Sequence, residues 1–132
     1  MCIFCDIVNG KIPCYKIYEN NNAMAFLDLA NDSNGHTLVI PKKHFKNILD
    51  CDKNVLCDVI EMVQKISKHY VDDCGADGVD IFNANGEIAE QSVFHLHFHI
   101  LPRYKNDGVK VFPALKKNVM SLEELADKLK IK

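Results

Sequence analysis

The sequence predicts an antiparallel α+β domain, and three observations predict it. One long segment repeats apolar residues at helical spacing, several short β-branched runs are separated by turn residues, and the links between those runs have hairpin length. The 132 residues suit one domain, 1–132.

The elements follow in order. Residues 3 to 9 form a helical turn that stops at Asn9-Gly10, and Pro13 opens an extended stretch. Ile17-Tyr18 and Ala23 to Leu29 read as two short strands around the turn Asn20-Asn21-Asn22. Asp32-Ser33-Asn34-Gly35 is a loop by its turn residues, and Thr37 to Ile40 is a strand halted at Pro41. The long helix covers 53 to about 73, with apolar positions 55, 56, 59, 60, 63, 66 and 70 recurring at three and four. Asp52 stands at its N-cap position and Gly75 at its stop. Val79 to Phe82 is a strand, Asn83 to Gln91 a loop, and residues 93 to 101 the clearest strand. Ser121-x-x-Glu124 is a capping box that opens a last helix, about 121–131.

Composition narrows the function. A formal net charge of −2 leaves no overall basic surface for a nucleic-acid polymer or an anionic membrane. No apolar run approaches the roughly 18 residues of a transmembrane span. Met1-Cys2-Ile3-Phe4-Cys5-Asp6 has neither a basic start nor an apolar stretch, so no secretory signal is expected. The six cysteines are expected as thiols or metal ligands in a reducing, cytoplasmic setting.

Phe94-His95-Leu96-His97-Phe98-His99-Ile100 is the most informative stretch. Side chains alternate along a strand, so the three imidazoles share one face and Leu96, Phe98 and Ile100 the other. Successive rings on that face stand roughly 7 Å apart at their backbones. A single histidine here would be an exposed residue of a half-buried strand. Three at strict two-residue spacing point either to a metal site or to nucleophilic and acid/base chemistry at phosphorus. The pattern alone leaves these two readings even.

His95-Leu96-His97-Phe98-His99-Ile100-Leu101 resembles the His-φ-His-φ-His-φ-φ signature of the histidine-triad superfamily, φ being apolar. Gln91-Ser92-Val93 precedes it, as in the family. Gly35-His36-Thr37-Leu38-Val39-Ile40-Pro41-Lys42-Lys43-His44 resembles the family's upstream block. Cys2-Ile3-Phe4-Cys5 is similar to the N-terminal pair of its zinc-binding bacterial members, the nucleotide-binding branch. The likeness runs from about residue 2 to Arg103.

The resemblance implies a histidine-triad fold, with a five-stranded antiparallel sheet, one long helix and short helices, and a homodimer in which two such sheets join. It implies attack on the α-phosphate of a purine nucleoside phosphoramidate or related nucleotidyl conjugate, with no catalytic cofactor. Hydrolysis of dinucleoside polyphosphates and a regulatory nucleotide-binding module are the alternatives. By position, His97 is the nucleophile and His99 and His36 hold phosphate oxygens. Ser92 sits near the leaving group, and Gln91 and Asn83 line the phosphate site. Asp28 matches the ribose-binding acid, and Ile3, Phe4, Ile7, Phe26, Leu27 and Leu29 the apolar wall of the purine pocket. A neutral imidazole suits this role, being a good nucleophile near neutral pH and a good leaving group once protonated.

Cys2-x-x-Cys5 alone is weak evidence, since two buried thiols give the same pattern. The resemblance adds His44 and His95, a two-cysteine, two-histidine shell that suits one structural zinc per protomer. The chain departs from the family at two places. Glu90 stands before Gln91-Ser92 where Gly is usual, putting a Cβ and a carboxylate at a loop beside the phosphate site. Asn34 stands where bacterial relatives usually carry Pro.

Overall fold

The computed structural model describes residues 1–30 and 32–132. The elements in chain order are α1 (Ile3–Val8), β1 (Lys16–Glu19), β2 (Ala23–Leu27), β3 (Thr37–Pro41), α2 (Lys53–Asp72), β4 (Gly78–Phe82), β5 (Phe98–Arg103) and α3 (Leu122–Leu129). The strands form one five-stranded antiparallel sheet in the order β1-β2-β3-β5-β4. No described helix is long and apolar enough to cross a membrane.

The middle of the sheet is covered on both faces, which is why β2 and β3 read as near-continuous apolar runs rather than alternating ones. Ala23, Ala25, Val39, Leu96, Phe98 and Ile100 face α2, where Val59, Met62, Val63 and Ile66 meet them. Met24, Phe26, Leu38 and Ile40 face the other way, onto Phe4 and Ile7 of α1. Burying a side chain of this size is worth about 1.5–3 kcal/mol, so the six-residue helix α1 is held by its two buried anchors. Asp52 occupies the N-cap of α2, but its side chain makes no capping hydrogen bond.

The main departure from the sequence reading is at the histidine segment. The ladder was expected over residues 93 to 101 but covers Phe98–Arg103. Upstream of Phe98 the backbone groups go elsewhere. The Leu96 N–H donates to the Phe45 carbonyl at 2.7 Å, and the His97 carbonyl accepts from Asn83 Nδ2 at 2.8 Å. At the other end the ladder runs through Pro102, opposite Val79 of β4. Pro102 lacks an N–H, but β3 pairs with β5 only as far as Ile100, so no bond on that side is lost. The alternation survives without the ladder: Leu96 and Phe98 lie in the α2-side core, while the rings of His95 and His97 both stand edge-on to Phe4 of α1, at 5.8 and 5.2 Å.

Two backbone positions shape the loops around this segment. Gly35 has φ +103°, and a Cβ there would stand 3.0 Å from Pro102 Cγ, so only glycine lets the loop reach His36 so close to β5. Glu90 has φ +69°, a left-handed conformation, and is exposed. A left-handed non-glycine residue costs about 1–2 kcal/mol, whereas glycine loses roughly 0.5–1 kcal/mol more chain entropy on folding. Glu90→Gly is therefore expected to gain about 0.5–1 kcal/mol net. The gain should appear as a higher urea midpoint at unchanged m-value; an unchanged or lower midpoint would contradict the strain.

Candidate active site

Five histidines gather beside α1 and the loop that leads into β3. The rings of His97 and His99 are 5.0 Å apart, those of His99 and His36 5.1 Å, and those of His95 and His44 4.9 Å. The sixth, His69, is exposed on α2 and pairs with Asp73.

His97 is 7% exposed. Its Nδ1–H donates to the carbonyl of His95 at 2.8 Å, which assigns the remaining lone pair to Nε2. Burial pushes its pKa below the ordinary imidazole range, the His95 carbonyl and the Asp28 charge working the other way. The ring is thus a neutral base with one defined free nitrogen, which is what nucleophilic attack needs. Asn83 stabilises the same residue from its backbone side, and Asn85 Nδ2 donates in turn to Asn83 Oδ1.

His36 and His99 are joined directly, His36 Nε2 to His99 Nδ1 at 2.8 Å. Asp32 Oδ1 lies 2.9 Å from His36 Nδ1 and accepts its proton, and that bond holds the Asp32 carboxyl below its usual range. One proton joins His36 Nε2 to His99 Nδ1, which leaves His99 Nε2 as the nitrogen of the pair not hydrogen-bonded among the described residues. Burial above all pushes the His99 pKa down to about 4, and the two neighbouring imidazoles, His97 and His36, further disfavour a positive charge there. Phe82, opposite His99 in the β4–β5 register, covers that ring at 5.1 Å between centroids. Asp28 Oδ2 lies 3.8 Å from His36 Nδ1, and Asp28 Oδ1 accepts from the Ala30 N–H at 2.9 Å.

The remaining expected residues occupy varied places. Ser92 is exposed and, with Ile3, Val93 and Phe94, lines a cavity of about 680 Å³ that also borders Cys2, Cys5 and His44. Phe4, Ile7 and Phe26 belong to the core between α1 and the sheet. Leu27 is half-buried, and Leu29 is 70% exposed. Gln91 is buried and fully engaged. Its Oε1 accepts from Gly86 N–H and Asn47 Nδ2 at 2.9 and 3.2 Å, and its Nε2 donates to the Lys46 and Val93 carbonyls at 2.7 and 3.0 Å. It has no free N–H for a phosphate and acts within the loop as a brace. Asp32, Phe82 and the carbonyls of Pro41 and His95 were missed by sequence reasoning. Only Phe82 left a signal there, as the last residue of the strand that precedes the histidine segment.

Cys2, Cys5, His44 and His95 bring one ligand atom each to a common point. Sγ of Cys2 lies 3.4 Å from His95 Nδ1. Sγ of Cys5 lies 3.4 Å from His44 Nδ1 and 3.5 Å from His95 Nδ1, and the two Nδ1 atoms are 3.1 Å apart. A tetrahedral zinc shell requires roughly 3.6 Å between sulfur and nitrogen and roughly 3.3 Å between nitrogens, so the donor set fits the ion. His95 Nε2–H donates to the Pro41 carbonyl at 2.8 Å, which leaves Nδ1 as the lone pair facing the other three. Cys2 also accepts from Cys5 N–H at 3.4 Å as the N-cap of α1. A second group, Asp28, His36 and His99, also clusters closely enough to hold an ion.

The HIT domain family profile matches residues 9–106. The chain belongs to the HIT, or histidine triad, family. An uncharacterized HIT-like protein of Methanocaldococcus jannaschii is 44% identical over 130 residues, 98% of this chain and 99% of that one. The adenosine 5'-monophosphoramidase of Schizosaccharomyces pombe is 37% identical over 135 residues, covering 98% of each chain. A crystal structure of a zinc-bound histidine triad family protein from Mycobacterium smegmatis superposes with a TM-score of 0.77 at 36% identity, over 83% of this chain and 79% of that one. The matched family region contains His36, His44 and all three histidines of the 95–99 run; Cys2, Cys5 and α3 lie outside it.

The low His99 pKa has a consequence for stability. The unfolded chain takes up this proton near pH 6.5, whereas the folded protein resists it until about pH 4. The unfolded state therefore binds more protons in that window, and stability falls as pH drops through it. Urea unfolding of the protein and of His99→Asn should show a shallower loss of stability from pH 6.5 to 4 in the variant. Equal slopes would mean that His99 titrates normally.

Proposed function

We propose that the protein is a nucleotidyl hydrolase that cleaves purine nucleoside phosphoramidates at the α-phosphate through a covalent nucleotidyl-His97 intermediate. One observation carries the reading: the Nδ1 proton of buried His97 is committed to the His95 carbonyl, leaving Nε2 as the attacking lone pair. His97 Nε2 forms the bond to phosphorus as the P–N bond breaks, the amine leaving with a proton relayed from water by the Ser92 hydroxyl. A water then attacks phosphorus, loses its proton to solvent and breaks the P–Nε2 bond, which restores the imidazole. As charge redistributes over the phosphoryl oxygens, His99 stands beside the nucleophile to hold them through Nε2, its proton affinity raised by the bound anion, and His36 backs it from Nε2, its own Nδ1 proton being held by Asp32. Ser92 offers an exposed hydroxyl to the leaving group. Asp28 Oδ2 is the ribose acceptor, its Oδ1 being occupied by the Ala30 N–H. Gln91 and Asn83 support the site by holding the loop and the His97 backbone, a role their hydrogen bonds favour over direct phosphate contact. The likeness to the fission-yeast phosphoramidase supports the phosphoramidate over the dinucleoside polyphosphate.

The same reading assigns a structural zinc to Cys2, Cys5, His44 and His95, supported by the fit of the donor set and the zinc-bound mycobacterial relative. When bound, the ion ties α1 to the segment that carries the nucleophile. The reading also includes a homodimer. It is supported by the edge position of β4 and by the apolar side chains beside that edge, with Ile60, Val71 and Ile81 45%, 40% and 48% exposed.

Three measurements test this function. Steady-state kinetics with an adenosine phosphoramidate and a diadenosine polyphosphate side by side should favour the former. His97→Ala should lose several orders of magnitude in turnover, more than the roughly 10²–10³-fold typical of one oxyanion donor, while still binding nucleotide. Acid quench with radiolabelled adenylyl substrate should place the label on His97, and label on another residue would overturn the mechanism. For the metal, protein purified without chelator should contain one zinc per chain, and Cys2→Ser with Cys5→Ser should lose it and melt at a lower temperature. Unchanged metal content in the double variant would remove the assignment.

A further inference from the structure

In α3, Leu122, Leu125, Ala126 and Leu129 fall at helical spacing on one face, and the acidic and basic residues lie off it. No residue of this helix is buried. Leu122 and Leu129 are 77% and 70% exposed, and Ile131 just beyond is 99% exposed. Ser121 caps the helix by accepting from the Glu124 N–H at 3.1 Å. A cap does not suffice for eight residues, since an isolated helix shorter than roughly 12–15 residues is marginal in water. The amphipathic pattern therefore needs a surface to bury it.

The fold has a groove of matching character away from the histidines. Between β1 and the C-terminal half of α2 lies a cavity of about 700 Å³. Ile17, Ile66 and Tyr70 give it an apolar floor, Lys65 lies over the Tyr18 ring at 4.6 Å and donates to its hydroxyl at 3.0 Å, and Cys74 also lines it. Along its α2 rim the charges run Lys65, Lys68, then Asp72, Asp73. Along α3 they run Glu123, Glu124, Asp127, then Lys128, Lys130. Laid parallel to α2, α3 meets opposite charge at both ends, while its leucines face the floor. The pairs these residues make on their own helices, Lys68 with Asp72 and Lys130 with Asp127, both at 3.1 Å, are exposed. Exchanging such pairs costs little.

The connection argues for another molecule as the acceptor. Residues 110–121 contain no helix or strand, and they expose Phe112 and Leu115 at 80% and 72%. No residue of α3 lines the groove of its own chain. We propose that α3 of one copy docks in the β1–α2 groove of a second copy, with its leucine face on Ile17, Ile66 and Tyr70 and its acidic first turn against Lys65 and Lys68. The inference depends on the homodimer reading only in requiring a second copy; it is independent of the nucleotide chemistry.

The test uses the full chain. Parallel docking brings the end of α3 to Cys74, so Leu129→Cys is introduced together with Cys57→Ser, which removes the other exposed thiol. Leu129 is exposed, so the change does not threaten folding. In a glutathione redox buffer the expected product is a covalent dimer, twice the 15.0 kDa chain, joined between Cys74 and the introduced thiol. It should vanish with Cys74→Ser and form about tenfold more slowly with Lys65→Glu and Lys68→Glu, which reverse the rim charge. A bond to Cys74 within one chain, a bond to a different cysteine or no bond at all would overturn the proposal. Light scattering on the same sample separates the two readings. A dimer without the bond removes the docking and leaves the homodimer, whereas a monomer removes both.

Discussion

The hydrogen bond from His97 Nδ1 to the carbonyl of His95 decides which nitrogen of His97 is free, and much of the surrounding structure keeps that carbonyl in place. A carbonyl is a fixed acceptor that cannot rotate away or change protonation. The tautomer of His97 therefore depends on the backbone at His95 staying put. His95 is held on three sides: Nε2–H to the Pro41 carbonyl, Nδ1 toward Cys2, Cys5 and His44, and Phe4 against its ring. The same residue that faces the metal quartet thus orients the ring beside it. A disturbance at Cys2 or Cys5 has a physical route to His97 through one backbone carbonyl.

Histidine spacing made the functional face legible, while the hydrogen-bond partners were not. Alternation of side chains needs only an extended backbone, so His95, His97 and His99 separated from Leu96, Phe98 and Ile100 as the sequence indicated. Membership of the ladder depends on which N–H meets which carbonyl. Those partners, Phe45 for Leu96 and Asn83 for His97, lie far away in sequence and leave no local pattern. The ladder consequently begins five residues later than the alternation, at Phe98 instead of residue 93. Helix α2 was the most legible element, because its periodicity and its packing on the sheet are the same fact seen twice.

Gln91 illustrates the limit differently. Its position before the histidines singled it out, but the chemistry it performs follows from burial with four partners. A buried amide with unmet hydrogen bonds costs about 1–3 kcal/mol, so this side chain favours the one loop path that satisfies it. That path includes the left-handed turn at Glu90. The strain there and the satisfaction at Gln91 are adjacent parts of one arrangement, and glycine at position 90 would keep the second without the first. Asp32 is the converse case: a loop aspartate with no distinguishing pattern, which becomes part of the site only because it accepts the Nδ1 proton of His36.

The two ends of the chain relate to the family core in opposite ways. The family match covers residues 9–106 and excludes both Cys2-x-x-Cys5 and α3. The N-terminal turn is nonetheless integral, since Phe4 and Ile7 are buried and Cys2 and Cys5 converge on His44 and His95. The C-terminal helix is well formed by its own cap and pattern but has no buried residue. Local sequence signals specify a helix equally well in both cases. What separates them is tertiary burial, because a six-residue helix with two buried anchors is fixed by the sheet, whereas an eight-residue helix with none is specified in shape and left without a surface. The unspent apolar face of α3 is therefore better understood as an interaction element than as a frayed end.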